Sequence, residues 1–194
     1  MKRILLFLLF LLVMVPFQAA AQQWKIDYAH TNFYFEVNHT YVPVRGQFTK
    51  FTGDVYFDPG NLEKSKFDFV INVDSVDTKI GKRDTHLRSP DFFEASKFPV
   101  MTFKSSSVSS GGDNKYIVNG VLTIKDVSKK LALEFEYHGQ KDNPIKSGEV
   151  VAGLETKLVL DRLEYNVGDG KFYKLGVVDK DVNILFVIEL MREK

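Results

Sequence analysis

The strongest constraint on how this chain folds is a period of two. In the segment from Asn32 to His39, Phe33, Phe35 and Val37 alternate with Tyr34, Glu36 and Asn38. The same pattern aligns Phe51, Gly53, Val55 and Phe57, then Phe67, Phe69, Ile71 and Val73. It returns in Tyr116-Val118-Gly120-Leu122-Ile124, in Leu131-Leu133-Phe135-Tyr137, in Val150 through Leu160 and in Val182 through Leu190. Alternation of this kind puts every second side chain on one face of an extended strand, so each segment predicts a strand with one dry and one wet face.

The breaks in the pattern read as turns. Asp58-Pro59-Gly60-Asn61, Gly111-Gly112-Asp113-Asn114, Lys125-Asp126-Val127-Ser128 and the stretch from Asp142 to Gly148 join successive segments, and their brevity favours antiparallel neighbours. With Met101 to Val108 as a further strand, the sequence predicts an all-β domain of about eight strands. No linker or repeat divides it. Closing such a sheet removes its exposed edges, which gives a single antiparallel, lipocalin-like barrel. The inward faces carry Phe33, Phe35, Phe51, Phe57, Phe67, Phe69, Phe135 and Phe186 and no charge. Gly53, Gly120 and Ala152 lie among them. These small residues either leave room for a ligand between aromatic walls or mark bends around a solid core, and the pattern alone allows both.

The N-terminus gives an address. Met1-Lys2-Arg3 precedes an apolar run from Ile4 to Phe17, and Ala19-Ala20-Ala21 supplies small residues for a signal peptidase. Residues 1–21 are therefore expected to be a signal peptide cleaved before Gln22, with residues 22–194 forming the domain of a periplasmic or secreted protein. Removing the leader takes two basic residues and no acid, so 24 Lys and Arg face 25 Asp and Glu in the mature chain. That balance excludes the basic footprint of a nucleic-acid binder. The chain has no cysteine, so no disulfide supports it and a buried core must.

One insert interrupts the β pattern: Arg83-Asp84-Thr85-His86-Leu87-Arg88-Ser89-Pro90-Asp91-Phe92-Phe93, within a helical insert spanning about residues 80–97. Ser89 as N-cap, Pro90 at the first helical position and the acids that follow predict a short helix there, and Ile80 to Leu87 reads as a second helical segment or structured loop. Asp84, His86 and Arg88 suggest a catalytic group at first sight. A hydrolytic triad needs a nucleophile, yet there is no cysteine and no G-x-S-x-G turn. The four histidines show neither H-x-H nor H-x-x-x-H spacing, so no metal site is expected. The preferred reading makes the insert a lid over one barrel end, with Phe92 and Phe93 facing the lumen and Asp84 and His86 in a polar network that fixes it. Arg45, Arg88 and Arg162 near the barrel ends are candidates for an anionic head group.

The order of short motifs resembles that of the YceI-like family of exported polyisoprenoid-binding proteins. Trp24-Lys25-Ile26-Asp27-Tyr28-Ala29-His30-Thr31 is similar to that family's W-x-I-D-x-x-H-S/T opening, and Val44-Arg45-Gly46-Gln47-Phe48 to its V-x-G-x-F. Arg83 to Phe93 resembles its R-D-x-H-L-x-S-x-D-F-F block, and Gly120 to Lys129 its G-x-L-T-I-x-x-V-T/S-K. Asn166 stands where the family usually has glycine; asparagine also tolerates left-handed backbone. The resemblance implies a lipocalin-type barrel around an apolar tunnel. The expected ligand is an amphiphilic, isoprenoid-type lipid such as a quinone or prenyl phosphate, with no other cofactor and no enzymatic activity. It also implies transient contact with a membrane or membrane protein and leaves oligomeric state open. Two alternatives remain at this stage: an enzyme acting on a lipid or small metabolite through Asp84 and His86, and a structural barrel with a filled core.

Overall fold

The computed structural model describes residues 23–194; the leader and its cleavage point lie outside the described residues. Eleven strands form one sheet: β1 (Gln23–Ile26), β2 (Asn32–His39), β3 (Val42–Phe48), β4 (Phe51–Tyr56), β5 (Lys66–Asn72), β6 (Val76–Asp77), β7 (Val100–Gly112), β8 (Lys115–Ile124), β9 (Val127–Asp142), β10 (Glu149–Asp161) and β11 (Val178–Glu193). Every pairing is antiparallel.

The eleven strands occupy eight rows of the barrel wall. β1 and β2 both pair with β11, as Ile26↔Leu190 and Phe33↔Phe186. β3 then pairs with β2 and β4 with β1, while β5 and β6 continue onto β4 and β3. Each of these three rows is thus one long strand broken by a corner, and β7 to β11 supply the remaining five. The meander closes where the last strand meets the first, leaving an eight-row antiparallel barrel as its sequence pattern predicts. The broken rows explain why the first half of the chain shows shorter alternating runs.

The corner between β1 and β2 has its own fastening. Asp27 accepts from the Ala29 amide at 2.8 Å and pairs with His30 Nδ1 at 2.7 Å. Glu189 of β11 lies 3.7 Å from the same nitrogen. These three side chains lie within one ligand shell's reach of each other. Their hydrogen bonds account for the grouping as a brace between the corner and β11. The His30 interaction holds the Asp27 carboxyl below its ordinary range, and Asp27 in turn raises the His30 imidazole.

The inward glycines do not leave space. A Cβ at Gly120 would lie 2.5 Å from Phe103 Cζ and 2.6 Å from the Lys104 carbonyl oxygen. At Gly53 it would meet the Phe69 ring at 2.5 Å. Neighbouring rings fold over both positions, so these glycines let aromatic side chains fill the lumen.

Two predictions follow from this packing. Gly120→Ala should cost about 1–3 kcal/mol in urea unfolding, because the clash involves backbone and ring together; an unchanged midpoint would show that the wall yields there. The His30–Asp27 brace should make stability depend on pH. The raised His30 contributes fully below the unfolded value of 6.5 and loses its contribution as pH rises through its folded value. The lowered Asp27 contributes above 3.8 and loses as pH falls through its folded value. Melting temperatures of His30→Gln should therefore fall less than the parent's on going from about pH 6 to pH 9.

Candidate functional site

The barrel is packed solid at one end and hollow at the other. Inward residues of β11 become more buried along the strand: Val182 and Ile184 are partly exposed, whereas Phe186, Ile188 and Leu190 are buried. β10 shows the same change from Leu160 and Leu158 to Thr156 and Leu154. An apolar cavity of about 190 Å³ occupies the open half. Its wall includes Phe33, Phe35, Phe48, Phe69, Phe103, Leu122, Leu133, Leu158 and Phe186, with Phe92 and Phe93 of the insert closing one side.

The ten phenylalanines expected to form the wall divide between these halves. Phe33, Phe35, Phe69, Phe92, Phe93 and Phe186 line the cavity. Phe57, Phe67 and Phe135 do not; they are at most 1% exposed and belong to the solid half. Phe67 stacks on Phe135 with centroids 5.4 Å apart, and Phe57 contacts Phe67, Tyr116 and Tyr137. Phe51 is only partly buried and packs between Tyr28 and Phe33 outside the cavity. Leu131 and Leu160 of the alternating sets also line it, as does Val178, which the alternation did not include.

Of the three candidate arginines, only Arg162 reaches the cavity. Arg45 is on the outward face of β3, where it pairs with Glu36 at 2.5 Å. Arg88 ties the insert to the barrel by donating to the carbonyls of Asp74 and Val76. Arg162 opens a 3-10 turn, Arg162–Tyr165, directly after β10. It is 8% exposed. Its Nε and two terminal nitrogens donate to the carbonyls of Asp179, Val167 and Val178 at 2.8, 2.7 and 3.2 Å. That uses three of the five N–H groups of a guanidinium. Among the described residues no carboxylate forms an ion pair with it. Burial lowers its pKa, opposed by the more distant Asp161, Asp179 and Asp169.

Tyr165 is at the other end of this turn and lines the same cavity. Its burial raises the phenol pKa, and among the described residues its hydroxyl has no hydrogen-bond partner. Sequence reading missed Tyr165, because a tyrosine in a loop carries no periodic signal. The following Asn166 adopts φ 56°, ψ 27°, the left-handed conformation that its place in a glycine position requires. Its carbonyl accepts from Lys125 Nζ at 2.7 Å, which also donates to the Phe92 carbonyl at 3.0 Å. One lysine thus clasps the Arg162 turn to the insert, and Arg162 lies over the Phe92 ring at 5.8 Å.

The insert differs in detail from its predicted form. The helix is α1, Gly81–Arg88. Ser89 ends it with extended backbone, as expected for a residue before proline. Residues 90–97 form turns, in which Glu94 takes φ 53° and the Ala95 amide returns to the Arg88 carbonyl. The predicted Ser89 helix is therefore corrected to a helix stop followed by a reversal. Asp84 and His86 do not share one network. Asp84 is buried and accepts from the Thr78 amide at 2.9 Å and its hydroxyl at 2.5 Å, with Arg83 Nε donating to the same hydroxyl. His86 faces outward to Asp91 at 2.9 Å and packs edge-on to Phe92 and Phe172 of α2 (Lys171–Lys174). Two residues apart on a helix, they point to different sides, so no paired acid–base group forms.

The wall is also incomplete beside the cavity. Pairing between β9 and β10 ends at Phe135↔Thr156, where Thr156 Oγ1 donates to the Glu134 carbonyl at 2.6 Å. Beyond that point Leu131 and Leu158 line the cavity from strands that no longer share a ladder.

Comparison with known proteins agrees with this architecture. The profile of the YceI-like domain matches residues 24–190. The protein YceI of Salmonella newport is 34% identical over the whole of this chain and 99% of its own. A UPF0312 protein of Vibrio vulnificus is 37% identical over 81% of this chain and 84% of its own. The crystal structure of Burkholderia cenocepacia BcnA superposes with a TM-score of 0.76 at 27% identity, covering 85% of this chain and 99% of that one. A polyisoprenoid binding domain from Saccharophagus degradans shares the fold with a TM-score of 0.64 at 18% identity, over 89% of this chain and 98% of its own.

Asp84→Asn tests the insert's anchor. It replaces a buried carboxylate that accepts two hydrogen bonds and should cost about 1–3 kcal/mol in chemical unfolding. His86→Ala removes an exposed partner and should cost less than half as much.

Proposed function

Because this chain belongs to the YceI-like family, we propose that it is an exported binding protein that carries or stores an amphiphilic lipid of isoprenoid type. The observation that carries this reading is the apolar cavity with one buried guanidinium at its edge. A cavity lined by phenylalanine and leucine gains affinity from an apolar tail, at about 25 cal/mol for each Å² removed from water. Arg162 is buried without a contacting carboxylate, and its two remaining N–H groups favour an anionic or strongly polar oxygen brought by the ligand. Tyr165 adds a hydroxyl donor on the same turn.

The neighbouring polyisoprenoid binding domain supports this class of ligand, and the N-terminal leader supports a periplasmic or secreted site of action. Binding of this kind forms and breaks no covalent bond. No arrangement of Asp84 and His86 favours a reaction at the lid.

Organic extraction of the exported protein, followed by mass spectrometry, should recover an amphiphilic lipid. Protein that is consistently empty and also fails to bind prenyl phosphates would sink this reading. Tyr165→Phe should weaken binding roughly fivefold, the worth of one net hydrogen bond. Its melting temperature should not change, because the hydroxyl has no protein partner to lose.

A further inference from the structure

We propose that one lip of the barrel's open end docks on the surface of an anionic lipid membrane. The proposal stands on surface residues and does not depend on what the cavity holds. The lip has two parts: the turn between β2 and β3, and the one-turn helix α2 with the residues that follow it. Hydrogen bonds join them. The Thr40 amide donates to the Val177 carbonyl at 2.9 Å, and the Val177 amide donates to the Phe172 carbonyl at 2.8 Å. Val178, which lines the cavity, pairs with His39, so the lip borders the hollow half. Four large side chains stand in water here: Tyr41 is 96% exposed, Leu175 64%, Val42 61% and Tyr173 42%. A single exposed apolar residue is ordinary, whereas several gathered at one turn and one helix end point to a partner.

Charge decides which partner. Lys171 and Lys174 of α2 are exposed, and among the described residues neither ammonium contacts a carboxylate. Lys82 lies one turn before His86 on α1, and the His86 ring meets Phe172 edge-on at 5.8 Å. Positions four apart share a helix face, so Lys82 is on the side of α1 that packs on α2; it too is exposed, with no carboxylate contact among the described residues. Against these cations the stretch from Gly168 to Gly176 carries one acid, Asp169, which caps the Lys171 amide at 2.8 Å. Tyrosine and leucine flanked by lysine match the interfacial zone of a bilayer. The rings and the leucine enter at head-group depth, while the lysine stems cover apolar surface and their ammonium groups meet anionic phosphates. Two copies of the chain meeting through this lip about a two-fold axis would instead bring the lysines of one against those of the other.

The test is flotation of the exported, processed protein with vesicles of equal parts phosphatidylglycerol and phosphatidylcholine, beside vesicles of phosphatidylcholine alone. The protein should float with the first and stay behind with the second, and ~1 M salt should weaken the binding by screening it. Lys171→Gln and Lys174→Gln should each weaken binding about fivefold, and Leu175→Ser about tenfold. These three side chains are exposed and none lines the cavity, so the melting temperatures of the variants should match the parent's. No flotation, equal binding to both kinds of vesicle, or binding that the variants leave unchanged would each overturn the proposal. A dimer in analytical ultracentrifugation that Leu175→Ser dissociates would assign the lip to a second copy and overturn it as well. Lipid recovered from the cavity by extraction is a separate readout, so the docking and the lipid-binding reading fail separately.

Discussion

The barrel depends on β11. This strand pairs with β10 from Asp161↔Asp181 to Glu149↔Glu193 on one side and with β1 and β2 on the other. It is therefore the seam that turns an open meander into a ring. Without it, β10 and the first rows would each expose an unpaired edge. The first rows can tolerate their corners at residues 27–31 because β11 runs past the interruption unbroken and holds both pieces in register. The brace of Asp27, His30 and Glu189 fastens that junction, as do the Thr31 hydroxyl and the Glu189 backbone, bonded at 3.0 Å.

A closed ring fixes where volume can exist. The interior of a small barrel is filled by side chains unless the inward residues are too few or too small, or are drawn aside. Here the half holding Phe57, Phe67, Phe135, Leu154, Ile188 and Leu190 is closely packed, with each of these side chains at most 1% exposed. The other half ends in the insert, the Arg162 turn and α2, which together cap the opening without filling it. Lys125 joins two of these three pieces through main-chain carbonyls. The cap is thus held by polar contacts at its edges together with the buried Phe92, Ala95, Tyr165 and Val167.

Period-two patterning made the strands, their faces and the ring legible, because alternation is a direct consequence of the pleat. It could not show depth along the barrel axis. Phe67 and Phe69 are neighbours on one face of β5, yet one is core and the other is cavity floor. That distinction depends on which rings meet from β9 and β11, which no local window contains. The arginines failed for a similar reason: Arg45 lies in the middle of β3, where strand parity turns it outward, and only the turn after β10 folds Arg162 inward. In the insert, Ser89-Pro90 carries the same residues as a helix start. The preceding helix reached it first and made it a stop, so α1 lies earlier than the capping signal indicated.

The family resemblance and the physical reading meet at different levels. Residues such as Trp24, Asp27, His30 and the stretch from Arg83 to Phe93 make the family visible, and in the structure most of them fasten corners, the lid and the seam. Trp24, for example, donates its indole N–H to the Phe57 carbonyl at 2.8 Å. Those motifs therefore specify the vessel. The cavity itself is shaped by residues with no motif at all, such as Leu158, Phe186, Arg162 and Tyr165. Substitutions at these positions leave the strand pattern intact while changing the cavity. Ligand identity therefore has to be read from the cavity rather than from the motifs that mark the family.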